Sequence, residues 1–462
     1  MRITIVGAGF SGVALAHTLV HTAPAGTTVY LVGVAESHGK GVAYGEARPE
    51  HLLNVRAREL GLTAEAPEDF ADWFNLGERG RTAFQPRALY GEYLSDRLQA
   101  LKSADTGVTL HALEREVIAI DRGHRGFHVH LDVGAALTRD RVVLAVGALP
   151  PAPLAGVGPR LAIHPRYVGW PWQEGAIDRI ERNARVLVVG TGLTMADVVA
   201  TLRHRGHAGP ITALSRHGLL PQSHTREPAP PVALPPAVLQ ALATHDLREL
   251  VRSIRQLSSV VPDWRPLIDA LRPHTQAFWR GLPDHERGQF LRHLRSYWEV
   301  ARHRVAPRIA RQLDALQANG QLQVRAGRLV RAGRGDNAVE ALIRDRGSDS
   351  VRHEQFDVLV RATGLNSDIA RTTHPLLSQM RESGMLAAER HELGLAVTPS
   401  FEVLNARGQP VRGLYCLGPL LRGKLWEITA IPELRVAARQ LADTLLVERE
   451  PTAETQTRKL AF

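Results

Sequence analysis

Two glycine turns constrain this chain more than any other feature of its sequence. The first, Gly7-Ala8-Gly9-Phe10-Ser11-Gly12, follows an apolar run of Ile3, Ile5 and Val6 and opens onto Val13, Leu15, Ala16 and Leu19 at helical spacing. The second, Gly190-Thr191-Gly192, follows Val186 to Val189 and opens onto a helical pattern from Ala196 to Leu202. Strand, glycine turn, helix is an order with a physical purpose. One glycine permits the tight turn, a second lets a pyrophosphate approach the backbone, and a third lets helix pack on strand. The helix N-terminus then points unpaired N–H groups and a partial positive charge at the phosphates. In the second turn Met195 replaces the third glycine, with Ala196 beside it. Each turn predicts a dinucleotide site.

The residues after the next strand tell the two sites apart. Thr28 to Val32 reads as the second strand of the first unit, and an acid at its end would hold the ribose hydroxyls. Gly33 stands there instead, and the nearest carboxylate is Glu36. The ribose contact therefore falls to Glu36 or to backbone groups. In the second unit the strand Ile211 to Leu214 runs into Ser215-Arg216-His217. A serine and an arginine suit a 2′-phosphate, because a guanidinium pairs with a dianion. That predicts NADPH over NADH; the alternative is a solvent-exposed arginine in an arginine-rich protein.

Composition removes other classes of function. A chain of 462 residues has length for about two to four domains. Its single cysteine, Cys416, excludes a disulfide framework and a dithiol reductase, and its apolar strand makes it a core residue. No apolar run of about 18 residues occurs, so no membrane partner is expected. The chain opens directly on a strand with no signal peptide before it, which points to the cytoplasm. The net charge of +10 would suggest nucleic acid, but only four of the 57 basic residues are lysines and the arginines are scattered. A field that attracts anionic substrates or a phosphorylated cofactor is the milder expectation, with no nucleic acid bound. The 21 histidines lack metal-ligand spacing, so no metal is expected. Arg302-His303-Arg304 reads as a solvated helix face, with contact to an anion as the alternative.

Two dinucleotide units, the second inserted in the first, suggest a flavoprotein. The expected fold is α/β, with two Rossmann-like dinucleotide-binding domains of the glutathione-reductase type. The NADP domain is inserted in the FAD domain, and a helical insertion accompanies it. The FAD domain takes residues 1–150 and 357–447, and the NADP domain 160–235 and 321–356. A helical cap spans 236–320, and 448–462 is a polar tail. Leu144-Ala145-Val146-Gly147 and Arg361-Ala362-Thr363-Gly364 bring the chain back between the domains, which places Gly147 and Gly364 at the cofactors. The cap carries Leu247, Leu250, Val251, Ile254 and Leu257 at helical spacing. Phe290, Leu291, Leu294 and Trp298 repeat the pattern, and Trp264, Phe278, Trp279 and Tyr297 add further rings.

Four segments sharpen the picture: the first glycine turn; Gly41-Val42-Ala43-Tyr44 with His51-Leu52-Leu53-Asn54; Gly190-Thr191-Gly192-Leu193-Thr194-Met195; and Leu417-Gly418-Pro419 with Trp426-Glu427. Through these the chain resembles a family of bacterial FAD/NAD(P)-binding flavoproteins related to flavin-dependent class B and N-hydroxylating monooxygenases. The resemblance runs to about residue 447. It implies FAD contacts from Gly41, Tyr44, Leu53 and Asn54 and from Gly418, Pro419, Trp426 and Thr429, beside Gly7, Gly9, Phe10, Ser11 and Gly12. It implies NADPH contacts from Gly190, Gly192, Leu193, Thr194, Ser215, Arg216 and His217. Packing and a turn are the alternative for Tyr44 and Asn54. Gly158, His164 and Trp170-Pro171 follow the order of a class B fingerprint with altered spacings.

No catalytic acid, base or nucleophile stands out, as befits chemistry carried by a cofactor. The expected activity is an FAD-dependent, NADPH-using oxidoreductase, a monooxygenase on a small soluble substrate with molecular oxygen, nitrogen hydroxylation included. One rival is a flavin reductase or dehydrogenase serving a small-molecule or protein acceptor. The other is a dinucleotide-binding protein without turnover. An oligomer is compatible with all three.

Overall fold

The computed structural model describes residues 1–35, 38–124, 126–150 and 154–447. Glu36, Pro151, Pro153 and the 448–462 tail lie outside them. Buried apolar strands pair in parallel where helices cover both faces, and the chain builds two sheets around such strands, each with antiparallel pairs toward one edge. The first has six strands in the order Glu402–Leu404, Pro410–Cys416, Arg141–Leu144, Arg2–Val6, Thr28–Gly33 and Thr109–Glu114. The second has seven, in the order Val351–Phe356, Val339–Asp345, Leu322–Arg334, Ile211–Ser215, Val186–Val189, Val358–Arg361 and Tyr167–Val168. A small antiparallel sheet, Val117–Arg122, Phe127–Leu131 and Leu137–Arg139, hangs on the first unit.

One expected boundary moves. Val358–Arg361 pairs in parallel with Val186–Val189, with Val358 opposite Val186 and Arg361 opposite Val189. The second unit therefore continues through Arg361, and the chain returns to the first unit only afterwards. The strand's own sequence, Val-Leu-Val-Arg, fits either sheet, so pairing alone decides.

The helical stretch is divided between the two units. Helices Pro236–Ala243, Leu247–Val260 and Arg265–Gly281 share one apolar cluster with Leu393 and Trp426 of the C-terminal piece. Trp279 stacks on Trp426 at 4.8 Å between ring centroids, and its indole N–H donates to the Gly423 carbonyl. Trp279 is thus a core residue of this junction. The last helix, Pro307–Ala318, packs instead into the second sheet's core through Ile309, Leu313 and Leu316.

The regular helix expected across Phe290 to Trp298 contains a wider, π-type turn at Phe290–Leu294 between Asp284–Gln289 and Arg295–Arg302. The extra residue in that turn lets Phe290 meet Trp426 at 5.3 Å while Trp298 also faces the C-terminal piece.

The two units meet through polar contacts. Arg87 donates to Asp197 at 2.9 Å, and Arg48 holds Asp178 through both nitrogens at 2.9 and 2.8 Å. His51 Nδ1 accepts from the Arg48 N–H, so its Nε2–H donates to Thr201 Oγ1 at 2.8 Å. His224 Nε2–H donates to the Asn54 carbonyl at 3.0 Å. Burial, with Arg304, Arg56 and Arg302 nearby, pushes His224 down to about 3.

The folded protein thus keeps His224 neutral, whereas the unfolded chain protonates it below about pH 6.5. Stability should fall as pH drops from 6.5 toward 3, by up to about 1.4 kcal/mol per pH unit from this residue. His17, pushed to about 4 by burial beside His21, adds to the slope. Urea unfolding between pH 6.5 and 4 should show a shallower pH dependence for His224→Gln, which keeps a donor for Asn54. An unchanged slope would mean that His224 is solvated.

Candidate functional site

Both glycine turns are built alike, atom for atom around the first glycine. Gly7 has φ +112°, and a Cβ there would lie 2.2 Å from the Ala145 carbonyl oxygen. Gly190 has φ +116°, and a Cβ there would lie 2.1 Å from the Ala362 carbonyl oxygen. The Gly7 N–H donates to Val32 and the Gly190 N–H to Leu214, at 2.7 and 2.8 Å. Ala145 and Ala362 return N–H bonds to Val6 and Val189. Only glycine tolerates this backbone and this closeness. The turn is locked between the two neighbouring strands, and the helix after it starts at the sheet's carboxyl edge.

That edge is where an anion fits. Helices Phe10–Thr22 and Leu193–His204 begin at Gly9 and Gly192, neither has a side-chain cap, and neither carries an acid in its first turn. Their leading N–H groups lack intrahelical partners. Nothing lies within 4 Å of a Cβ built on Gly192, and Gly9 meets only Gly41. The third position differs between the units. A Cβ on Gly12 would fall 1.9 Å from the Gly7 oxygen, whereas Met195 is fully buried in the second core. In the second unit the buried Met195 side chain stands at that position.

The residues expected around FAD divide into two groups. Gly41 backs onto Gly9, with φ +62°. Gly418, with φ +107°, comes so close to the first helix that a Cβ would sit 3.2 Å from Ser11 Oγ. Pro419 opens the short turn after it, and Thr429 is exposed at the start of the C-terminal helix. Gly147 and Gly364, both at positive φ, have open space where a Cβ would be. Other residues are drawn into the core. Phe10 stacks toward Tyr90, Tyr44 meets Tyr90 edge-on at 4.8 Å, and Leu53 is buried. Trp426 packs in the helical cluster. Asn54 lends its carbonyl to His224. The ribose expectation for Glu36 lies outside the described residues. A physical reason for Gly33 is plain, since a Cβ there would be 2.6 Å from the Ala8 side chain.

At the second turn, the Ser215 hydroxyl builds the loop. It accepts from the Gly218 N–H at 3.1 Å and lies 2.8 Å from the Thr191 hydroxyl, which also reaches the Leu219 carbonyl at 2.6 Å. Arg216 is exposed and makes no ion pair among the described residues. His217 lies beside the Tyr297 ring at 5.6 Å, and burial, Arg346 and Arg216 together lower its pKa. Nothing in the sequence around Arg346 marks it for this site. It lies in the turn after Val339–Asp345, and only strand pairing brings it to this edge.

Two further expectations change. Arg302-His303-Arg304 is turned inward, not solvated: Arg304 is buried and pairs with Asp269, and the half-buried Arg302 lies 3.3 Å from Glu427. The acids come from distant segments, which the helix's own sequence does not reveal. The fingerprint-like residues serve structure: His164 accepts from the Arg166 N–H, and the Gly158 N–H binds the Ala332 carbonyl. Pro171 lines a cleft of about 380 Å³ between the units with Trp172 and His51. Cys416 is buried, and burial pushes its thiol far up.

Comparison with known proteins bears on the fold. Residues 4–149 match a family model described as FAD-NAD(P)-binding. Uncharacterised proteins of Mycobacterium tuberculosis and Mycobacterium bovis are 25% identical over 418 residues, covering 82% of this chain and 76% of theirs. Among solved structures, the Kutzneria sp. 744 ornithine N-hydroxylase superposes with TM-score 0.63 at 17% identity, over 96% of this chain and 98% of that one. L-lysine 6-monooxygenase from Pseudomonas syringae gives 0.64 at 18%, over 96% and 98%. The cadaverine monooxygenase of Erwinia amylovora gives 0.62 at 12%, over 95% and 92%. The chain shares the two-domain fold of these enzymes. No helix among the described residues is long and apolar enough to cross a membrane.

The two glycines of the second turn should respond oppositely to alanine. Gly190→Ala should cost about 2–4 kcal/mol, because the Cβ strikes a backbone carbonyl at positive φ. Gly192→Ala should stay within about 1 kcal/mol of the parent. Denaturant unfolding of both variants checks this, and equal losses would contradict the geometry.

Proposed function

We propose that the protein is an FAD-dependent, NADPH-using monooxygenase acting on a small soluble substrate, with FAD at the Gly7 turn and NADPH at the Gly190 turn. One observation carries the reading: a pair of uncapped helix N-termini behind glycine turns, one per unit. The fold shared with ornithine, lysine and cadaverine oxygenating enzymes supports it. The ornithine N-hydroxylase makes nitrogen hydroxylation the specific form favoured. A supply of NADPH and a small substrate go with a cytoplasmic location.

FAD, when bound, would supply the redox chemistry, coupling oxidation of NADPH to insertion of one oxygen atom of O2 into the substrate and reduction of the other to water. The chain's residues do the rest. Gly9 and Gly41 leave room for the FAD pyrophosphate, and the N–H groups of Phe10, Ser11 and Gly12 face it. Gly418 lets the C-terminal loop close on Ser11. Gly192 leaves the corresponding room for NADPH, and Arg216 with Arg346 holds its 2′-phosphate. Ser215 shapes that loop through Thr191 and Gly218. The helical unit is anchored on Trp426 of the C-terminal piece.

The purified protein should carry FAD that NADPH bleaches under anaerobic conditions, and air should restore the colour. With a small amine substrate, oxygenated product should form; peroxide alone across a panel of amines would favour a reductase, and failure to bleach would favour a binding protein. Arg216→Ala should raise the Michaelis constant for NADPH about tenfold or more while leaving NADH unchanged, since a charge-assisted bond contributes about 1.5–3 kcal/mol. An equal loss with both cofactors would mean that Arg216 does not read the phosphate.

A further inference from the structure

Three locally unfavourable features converge on one place, the end of the loop that runs from Gly418 into the C-terminal helix. First, Glu427 has φ +72°, a left-handed backbone conformation that a residue with a long side chain adopts only where its surroundings force it. Second, its carboxylate is 99% buried, since only 1% of the side chain is exposed. Third, the helix facing it carries the π-type turn at Phe290–Leu294. Strained backbone, buried charge and a π turn each mark sites where structure serves something besides stability.

The contacts explain what the three features accomplish together. The Trp298 indole N–H donates to Glu427 Oε1 at 2.7 Å. One helical turn later, Arg302 Nε lies 3.3 Å from Glu427 Oε2, and His303 Nε2 lies 3.8 Å from the same oxygen. Between them in sequence, Glu299 accepts from Arg422 at 2.8 Å, and the Arg422 guanidinium covers the Trp426 ring at 4.4 Å. The helix Arg295–Arg302 therefore grips the loop at both Arg422 and Glu427. Ile428, Thr429 and Ala430 follow at once, and Ala430 is the uncapped start of the helix Ile431–Leu446.

We propose that Glu427 is a positioning residue, held by the Trp298 indole N–H and the nearby Arg302 charge so that the helical unit sets the shape of the loop that begins with Gly418 against Ser11 and ends at the C-terminal helix, and with it the binding of FAD by the first unit. This rests on the flavin reading above. It adds a physical link between the helical unit and the flavin loop. Neither the glycine turns nor Arg216 supplies such a link.

The test is FAD binding by the full-length apoprotein, measured by titration, with the visible spectrum of the bound flavin and the thermal midpoint of each apoprotein. Glu427→Ala should weaken FAD binding at least tenfold and shift the bound flavin's spectrum toward that of free FAD. Trp298→Phe, which removes only the indole donor, should weaken it severalfold. Glu427→Gln keeps an acceptor for Trp298 and should recover part of the loss. In the Glu427→Ala background, Trp298→Phe should have no further effect, because the contact is already gone. Lower thermal midpoints with FAD affinity and spectrum within twofold of the parent would make Glu427 merely structural and overturn the proposal. Independent, multiplying effects of the two substitutions would overturn it too. A parent protein that takes up no FAD would overturn the flavin reading and this proposal together, which separates the two failures.

Discussion

The structure depends on one contact made twice: a glycine at positive φ pressed against the carbonyl of an alanine at the end of the neighbouring strand. Gly7 against Ala145 and Gly190 against Ala362 leave no room for a Cβ. Each contact closes the turn tightly enough that the next helix starts at the carboxyl edge of its sheet. There its leading N–H groups lack intrahelical partners. The sheets, the return strands and the interface between the units then follow from where these two turns put their helices. The units are not identical copies, however. Gly12 lets the first helix press on its own turn, while Met195 stands at the equivalent position of the second helix and fills its core.

Two dinucleotide-type folds in one chain also have to be held in register. The chain does this with partly buried charge pairs, Arg87 with Asp197 and Arg48 with Asp178, and with neutral His51 and His224 donating across the junction. Such contacts are directional, and breaking one partner leaves the other poorly solvated. The helical unit takes a third position. It shares an apolar cluster with Trp426 and grips the C-terminal loop through Glu427, so it covers the first unit although its sequence lies within the second.

Local patterns were legible in the sequence; pairings between distant segments were not. The glycine turns, their strands and their helices follow from short runs of residues, because the steric demand and the hydrogen bonds are local. The missing ribose acid was visible, but its cause, the Ala8 side chain against Gly33, required the fold. Arg302-His303-Arg304 reads as exposed because nothing nearby in sequence neutralises it; Glu427 and Asp269 arrive from elsewhere. Tyr44, Leu53 and Trp426 have apolar surfaces that serve a cofactor or a core equally well, and the structure draws all three inward. Val358–Arg361 fits either sheet by composition, and only its pairing with Val186–Val189 assigns it.

The central claim is that the duplicated turn gives two separate nucleotide sites, one per unit. Crossed binding titrations of FAD and NADP⁺ on the parent, Gly9→Val and Gly192→Val test it most directly. Gly9→Val should abolish FAD uptake. Gly192→Val should retain FAD and lose NADP⁺, with its thermal midpoint near the parent's because the added side chain meets open space. Loss of both ligands in either well-folded variant, or of neither in both, would contradict the account.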